Sequence, residues 1–362
     1  MNFKKVAIVH DALCVAGGAE RLTAYISKTF PEADIFTSVY NPDNTFSYFK
    51  TQKIHSFKTA KNIRTEGQLK RSFPLLFLYF RFLDLSGYDL ILSSSTYLAK
   101  FLKTPSGATH VCYLHSPFRY VWKRDSYTIE SLPFNKPIMK IIDKGIPVLQ
   151  KWDKYYTQKI DHLLTNSLNM AQLIEAIYDR KAEVIHPPIE VSQFDSSPIR
   201  EDYYLSVGRL ISYKRTDLAV KACRDSNRKL IVVGVGPERE ALKRLGGVDI
   251  TFLGKVSDEE LKDLYSKARG LIFPGDEDFG IVPLEAQASG CPVIAYKSGG
   301  ALETVIENET GVFFDQQNPG DLIAALDRFE QLSISSERVR KNALRFDINV
   351  FEEKIKSYLE NI

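Results

Sequence analysis

The sequence predicts an α/β protein made of two Rossmann-like domains, and three observations carry that expectation. The first is a complete strand–loop–helix–strand unit near the end of the chain. Gly270 to Phe273 is an apolar run, an acidic glycine-bearing loop follows, a short helix carries Glu285, Gly290 stands where a glycine stop belongs, and Cys291 to Tyr296 is apolar again. The second is that short buried-strand runs recur along the chain, at Lys5–Val9, Tyr88–Ser93, His110–Leu114 and from Tyr203. The third is the length of 362 residues, enough for two ordinary domains. His186-Pro187-Pro188 and the polar, irregular stretch from Ser192 to Asp202 read as the linker between them.

Composition narrows the class. With 44% hydrophobic and 26% charged residues the chain is that of a soluble globular protein rather than a disordered one. A formal net charge of +3 is too small to argue for nucleic acid as a partner. No apolar run reaches the ~18 residues that a membrane helix needs. Met1-Asn-Phe-Lys-Lys passes directly into a strand pattern rather than a signal peptide. Cys14, Cys112, Cys223 and Cys291 lie far apart without a Cys-x-x-Cys, which suits buried reduced thiols in the cytoplasm and implies no zinc site.

In chain order, the strand at Lys5–Val9 runs into His10-Asp11 and then Gly17-Gly18-Ala-Glu20-Arg21. A glycine pair between a first strand and its helix lets backbone approach a phosphate, although such pairs also make ordinary turns. Asp11 reads first as a turn-forming aspartate and second as an acceptor-side group. Residues 50–83 carry Lys50, Lys53, Lys58, Lys61, Arg64, Lys70, Arg71 and Arg81 against one carboxylate, Glu66, beside the apolar run Phe73 to Leu83. Two readings stand level: an interfacial contact with anionic lipid, or a core helix with a solvated basic face. Beyond the strand at His110–Leu114 comes His115-Ser-Pro-Phe-Arg119-Tyr-Val-Trp122, a histidine at a strand's carboxyl end, where open α/β folds bind ligands. Pro137 to Ile160 reads as helix, Asp161 to Ser167 as a strand reaching a helix cap, and Ala182 to Ile185 as an edge strand.

The second half opens with a strand, Gly208, and then Arg209 and Lys214 on one loop, two cations able to hold a diphosphate. The Gly234-x-Gly236 after the next strand lacks a third glycine and is followed by Pro237, which argues against a dinucleotide site. Ser257 and Glu260 form a capping box, and Ser298 to Glu303 reads as a flexible loop. In the central stretch the amides of Phe279 to Val282 lack helical partners and suit a phosphate or sugar oxygen. Gly280 leaves room for a ligand beside the backbone. Pro283 fits only a first turn, which fixes the helix start. Glu277 and Glu285 bracket those amides, and a carboxylate can hold vicinal hydroxyls. Acceptor, donors and acceptor in that order suit a nucleotide sugar.

Glu277-x7-Glu285 enclosing Phe-Gly-Ile-x-Pro-Leu resembles the signature of the retaining family-4 glycosyltransferases of GT-B fold, and further segments match in the same order over most of the chain. The resemblance implies an acceptor-binding domain at 1–190, a donor-binding domain at 200–346, a cleft between them that closes to exclude water, and a last helix, 347–362, returning to the first domain. It implies that Glu285 holds the ribose and Glu277 the sugar hydroxyls. Arg209, Lys214 and the Gly280 and Ile281 amides would hold the diphosphate, with Gly17 and Gly18 facing it and Val256 bordering the base. His115 to Trp122 resembles a segment of a mannosyltransferase-like branch in which the histidine approaches the transferred sugar. Mannose from GDP-mannose is therefore the expected donor, a saccharide or lipid-linked saccharide the acceptor, and the inner membrane face a further expected location. Asp276-Glu-Asp278 could bind a divalent metal, but Arg209 and Lys214 already supply positive charge, so no cofactor or metal is expected. A UDP-sugar donor, a sugar-nucleotide epimerase and a non-catalytic binding relative remain open alternatives, because fold alone does not decide function.

Overall fold

A computed structural model describes residues 3–57, 63, 66–122, 136–196 and 199–362. The chain forms two compact units, Met1–His186 with Glu352–Ile362, and Pro187–Phe351. The first is built on β1 (Val6–His10), β2 (Asp34–Thr37), β3 (Ile54–Ser56), β4 (Leu90–Ser95), β5 (Thr109–Leu114), β6 (His162–Thr165) and β7 (Glu183–Val184). These make one parallel sheet in the order β3-β2-β1-β4-β5-β6-β7. The second unit holds β8 (Tyr204–Val207), β9 (Leu230–Val233), β10 (Ile250–Gly254), β11 (Gly270–Phe273), β12 (Val293–Tyr296) and β13 (Gly311–Phe314). Its sheet is also parallel, in the order β10-β9-β8-β11-β12-β13. Both are the α/β sheets the sequence predicts.

Parallel strands covered on both faces need apolar residues on both, which is why the runs are continuous rather than alternating. In β11, Leu271 and Phe273 enter one core cluster and Ile272 the other, as the two-residue period of a strand requires. The strand order reverses between β1 and β4 and again between β8 and β11. At such a point the chain leaves neighbouring strands toward opposite faces, and their carboxyl ends frame a crevice. Capping follows the sequence: Ser167 accepts from the Met170 amide, Ser257 accepts from the Glu260 amide, and Gly290 takes φ +71° just past the helix Ile281–Ala288. Near the chain end, Tyr358 in the helix Ile348–Glu360 meets His162 Nδ1 at 3.3 Å within the first unit.

Two expectations change. The polar stretch 192–202 is not a free linker: Phe194 sits in the second unit's core, as do Ile189 and Val191 just before it, and Arg200 donates to the carbonyls of Tyr265, Ser266 and Ser289. Residues 197 and 198 of that stretch lie outside the described residues. The Ser298–Glu303 loop is braced rather than loose, as detailed below. Across 50–83, Lys58, Lys61 and Arg64 and the side chains of Glu66 and Lys70 lie outside the described residues. The helix Phe73–Arg81 buries Leu76 and Phe80 completely while leaving Leu75 and Leu78 about half exposed, with Phe82 exposed beyond it. Arg81 is a structural cation, donating to the carbonyls of Phe101 and Leu102.

Candidate functional site

In the second unit the β8–β11 switch point gathers three loops, 208–215, 274–280 and 297–300. Gly280 precedes the helix Ile281–Ala288 with φ +83°, and a Cβ there would lie 2.8 Å from Phe273 Cζ. The glycine is thus demanded by the backbone and by the ring packed behind it, a stronger reason than room for a ligand. Ile281 and Val282 then stand in a first turn whose amides have no intrahelical acceptor, at the positive end of the helix dipole. Phe279 is buried against Phe346, their ring centroids 6.0 Å apart.

Around that helix start the predicted residues converge. Lys214 pairs directly with the Glu277 carboxylate, and both side chains are mostly buried. Gly300 N–H donates to the Glu277 carbonyl at 2.9 Å, and Ser298 Oγ donates to Asp276 Oδ1 at 3.0 Å. A Cβ on Gly300 would sit 2.2 Å from Phe279 Cα, so the glycine pair at 299–300 lets one loop lie on the backbone of the other. Glu285 is 8% exposed and accepts from the Tyr265 hydroxyl at 3.1 Å. Val256 packs, partly buried, on the same core as Ile281 and Val282. Arg209 stays exposed, its guanidinium 3.5 Å from the Tyr213 hydroxyl. Of the two expected diphosphate cations, Lys214 is therefore engaged by Glu277 in this state. A diphosphate drawing Lys214 toward itself would leave the carboxylate to accept from sugar hydroxyls. Among the described residues no group of three or more His, Cys, Asp and Glu side chains is arranged to hold a metal ion.

The first unit carries the other predicted residues at its β1–β4 switch point. Gly18 opens the helix Gly18–Thr29, and Gly17 caps it in extended conformation. His115 follows β5, its backbone tied to Ser95 O and to the Asn166 side chain, its ring Nε2 2.9 Å from Ser94 Oγ. Burial, and then the charges of His10 and Arg119, push its pKa down to about 3, so the ring is neutral at ordinary pH. Trp122 donates to Asp153 Oδ2 at 2.7 Å. That carboxylate also accepts from the Tyr178 hydroxyl and lies 2.6 Å from the ammonium of fully buried Lys100.

Asp11 is neither a simple turn residue nor a ligand group. Its carboxylate accepts from the amides of Thr96, Tyr97, Leu98 and Ala99 at 2.6–3.1 Å, tying the loop after β4 to the end of β1. Sequence reasoning gave no role to His10, Ser94, Lys100 or Asp153. A histidine at the carboxyl end of the first strand was a signal for one of them; the others show no local signal at all.

Two parallel Rossmann sheets, with a cation–carboxylate pair and a helix N-terminus at the second switch point, are the equipment of a GT-B glycosyltransferase. Comparison with known proteins agrees. Residues 190–346 match the family described as Glycosyl transferases group 1, and residues 16–193 match Glycosyltransferase Family 4. The chain belongs to the family-4 glycosyltransferases. It is 30% identical over 219 residues to the O-antigen chain mannosyltransferase RfbU of Salmonella typhimurium, covering 57% of this chain and 61% of that one. It is 34% identical over 163 residues to a GDP-mannose-dependent α-(1-6)-phosphatidylinositol monomannoside mannosyltransferase of Mycobacterium tuberculosis, covering 37% and 42%. The chain thus matches about three fifths of the first relative's length and two fifths of the second's. Among solved structures, sucrose-phosphate synthase of Thermosynechococcus elongatus superposes with a TM-score of 0.78 at 18% identity over 99% of each chain, a likeness of fold.

Proposed function

We propose that this chain transfers mannose from GDP-mannose to a saccharide or lipid-linked saccharide, with retention and without a metal. The observation that carries the reading is the Lys214–Glu277 pair at the start of the helix Ile281–Ala288, with Glu285 held by Tyr265 one turn into it. Glu285 would hold the ribose. Arg209, Lys214 and the Gly280 and Ile281 amides would hold the diphosphate, whose negative charge grows as the bond to the sugar breaks. Glu277 would bind sugar hydroxyls rather than act as the base, attack on the same face being assisted by the leaving phosphate. Mannose is favoured by the two named relatives. The half-exposed Leu75 and Leu78 beside exposed Phe82 favour an anionic membrane surface as the place where the acceptor is met.

The test is titration of the protein in EDTA with GDP, UDP and ADP, beside Glu285→Ala. The reading expects selective GDP binding in the micromolar range, weakened about tenfold or more by the substitution, since a charged hydrogen-bond partner is lost. Selective UDP or ADP binding would overturn the donor, and no binding without added metal would overturn the site.

A further inference from the structure

His115 does not stand alone at the first switch point. His10, the last residue of β1, lies opposite Ser94 in the sheet register and is 1% exposed. Its Nδ1 is 3.1 Å from the Ser94 carbonyl oxygen, which can only accept, so Nδ1 carries a proton. Nε2 faces Glu20 Oε1 at 3.8 Å. Ser94 Oγ lies 3.2 Å from His10 Nδ1 and 2.9 Å from His115 Nε2, making it the joint between the two rings. Thr23 Oγ1 completes the cluster, 3.0 Å from His10 Nδ1, 3.0 Å from Ser94 Oγ and 2.9 Å from the Ala19 carbonyl. At the far end, a Cβ on Gly17 would lie 2.6 Å from Glu20 Oε2, so the glycine loop rests on the carboxylate that faces His10.

We infer that Glu20 and His10 are positioning residues: Glu20 holds His10 as an imidazolium, and His10 acts through Ser94 to fix the ring of His115 and keep it neutral. The inference rests on the reading of His115 as the group that meets the transferred sugar. A glycosyl transition state gathers positive charge at the sugar, and a second cation beside it would oppose that charge. Besides Glu20, His10 feels Asp11; His115 feels His10 and Arg119. Burial alone drives His10 toward neutrality, and the carboxylates of Glu20 and Asp11, with the Ser94 carbonyl, outweigh it and leave its pKa raised.

Histidine NMR over about pH 4 to 8, with His115→Gln for assignment, tests this in Glu20→Gln and Ser94→Ala. In the native protein His115 stays neutral across the range while His10 carries two protons at neutral pH. In Glu20→Gln, His10 loses its second proton at neutral pH, and the titration of His115 rises by about one pH unit or more as the neighbouring charge disappears. Ser94→Ala leaves His10 charged and changes the Nε2 signal of His115. Under GDP-mannose turnover, the acid limb of the rate in Glu20→Gln moves up with His115, while an unchanged urea midpoint followed by Trp122 and Trp152, both in the first unit, shows that the variant is folded. His115 titrating identically in the native protein and both folded variants would overturn the inference. Absence of any mannosyl transfer by the native protein would instead overturn the reading of function, and the NMR result would still decide the positioning claim.

Discussion

Asp153→Asn is the substitution whose effect the structure fixes most tightly. Lys100 is 1% exposed and its ammonium lies 2.6 Å from Asp153 Oδ1, while the other carboxylate oxygen accepts from Trp122 and Tyr178. Thr157 and Tyr178 offer Lys100 only neutral oxygens, at 3.3 and 3.1 Å. Removing the carboxylate's charge therefore strands a buried cation, and breaking a buried pair from one side costs about 3–5 kcal/mol. With a urea slope of about 3 kcal/mol/M, the first unit's midpoint should fall by roughly 1–1.7 M. The assay is specific because both tryptophans, Trp122 and Trp152, lie in the first unit, so fluorescence follows that unit alone. The double substitution Lys100→Met, Asp153→Asn should recover most of the loss, because no charge is left to strand while the amide oxygen still accepts from Trp122 and Tyr178. A loss below about 1 kcal/mol in Asp153→Asn, the range of a surface pair, would refute the reasoning.

Further predictions concern the site loops, the thiols and acid stability. Gly300→Ala places a Cβ 2.2 Å from Phe279 Cα, so the 276–279 loop must move; GDP binding should weaken tenfold or more on the order of the few kcal/mol that overpacking costs, and unchanged calorimetric affinity would contradict this. Cys112, Cys223 and Cys291 are buried, which pushes their thiols up to about 12, and Cys14 is buried as well. A disulfide reagent at about pH 8 should label less than one thiol per native chain and all of them after denaturation; rapid native labelling would contradict the packing. For Asp34, burial pushes the carboxyl up, but bonds from Lys53, Tyr88 and His55 outweigh it and hold its pKa at about 2. Its stabilisation is present above the ordinary carboxylate range and is lost as pH falls from about 4 toward 2. The stability gap between the native protein and Asp34→Asn should close over that window, and a gap independent of pH would refute the assignment.

Much of this was readable in the chain because it is written locally. Apolar runs gave the strands, Ser167 and Ser257 gave helix starts, and Gly280 with Pro283 set the start of the helix that carries Glu285. What stayed hidden depends on residues far apart in sequence that parallel crossovers bring side by side. Asp11 caps a loop 85 to 88 residues downstream, and His10 meets Ser94 across the β1–β4 pair. Nothing local marks Lys100 as buried; Asp153, on a helix beyond β5, closes over it. Lys214 and Glu277 were each legible as ligand groups, yet their engagement with one another follows only from β8 lying next to β11. The Ser298–Gly300 loop looked loose because serine and glycine favour turns; packing against Phe279 gives those glycines another reason.

The most direct measurement compares the affinities of GDP and GDP-mannose, in EDTA, for the native protein, Glu277→Gln and Glu285→Ala. If Glu277 holds the sugar and Glu285 the ribose, Glu285→Ala weakens both ligands by the same factor. Glu277→Gln should leave GDP binding undiminished, since Lys214 is released from its partner, while lowering the preference for GDP-mannose by about tenfold or more. Equal effects of Glu277→Gln on the two ligands, or no effect of Glu285→Ala on either, would contradict the site on which the functional account stands.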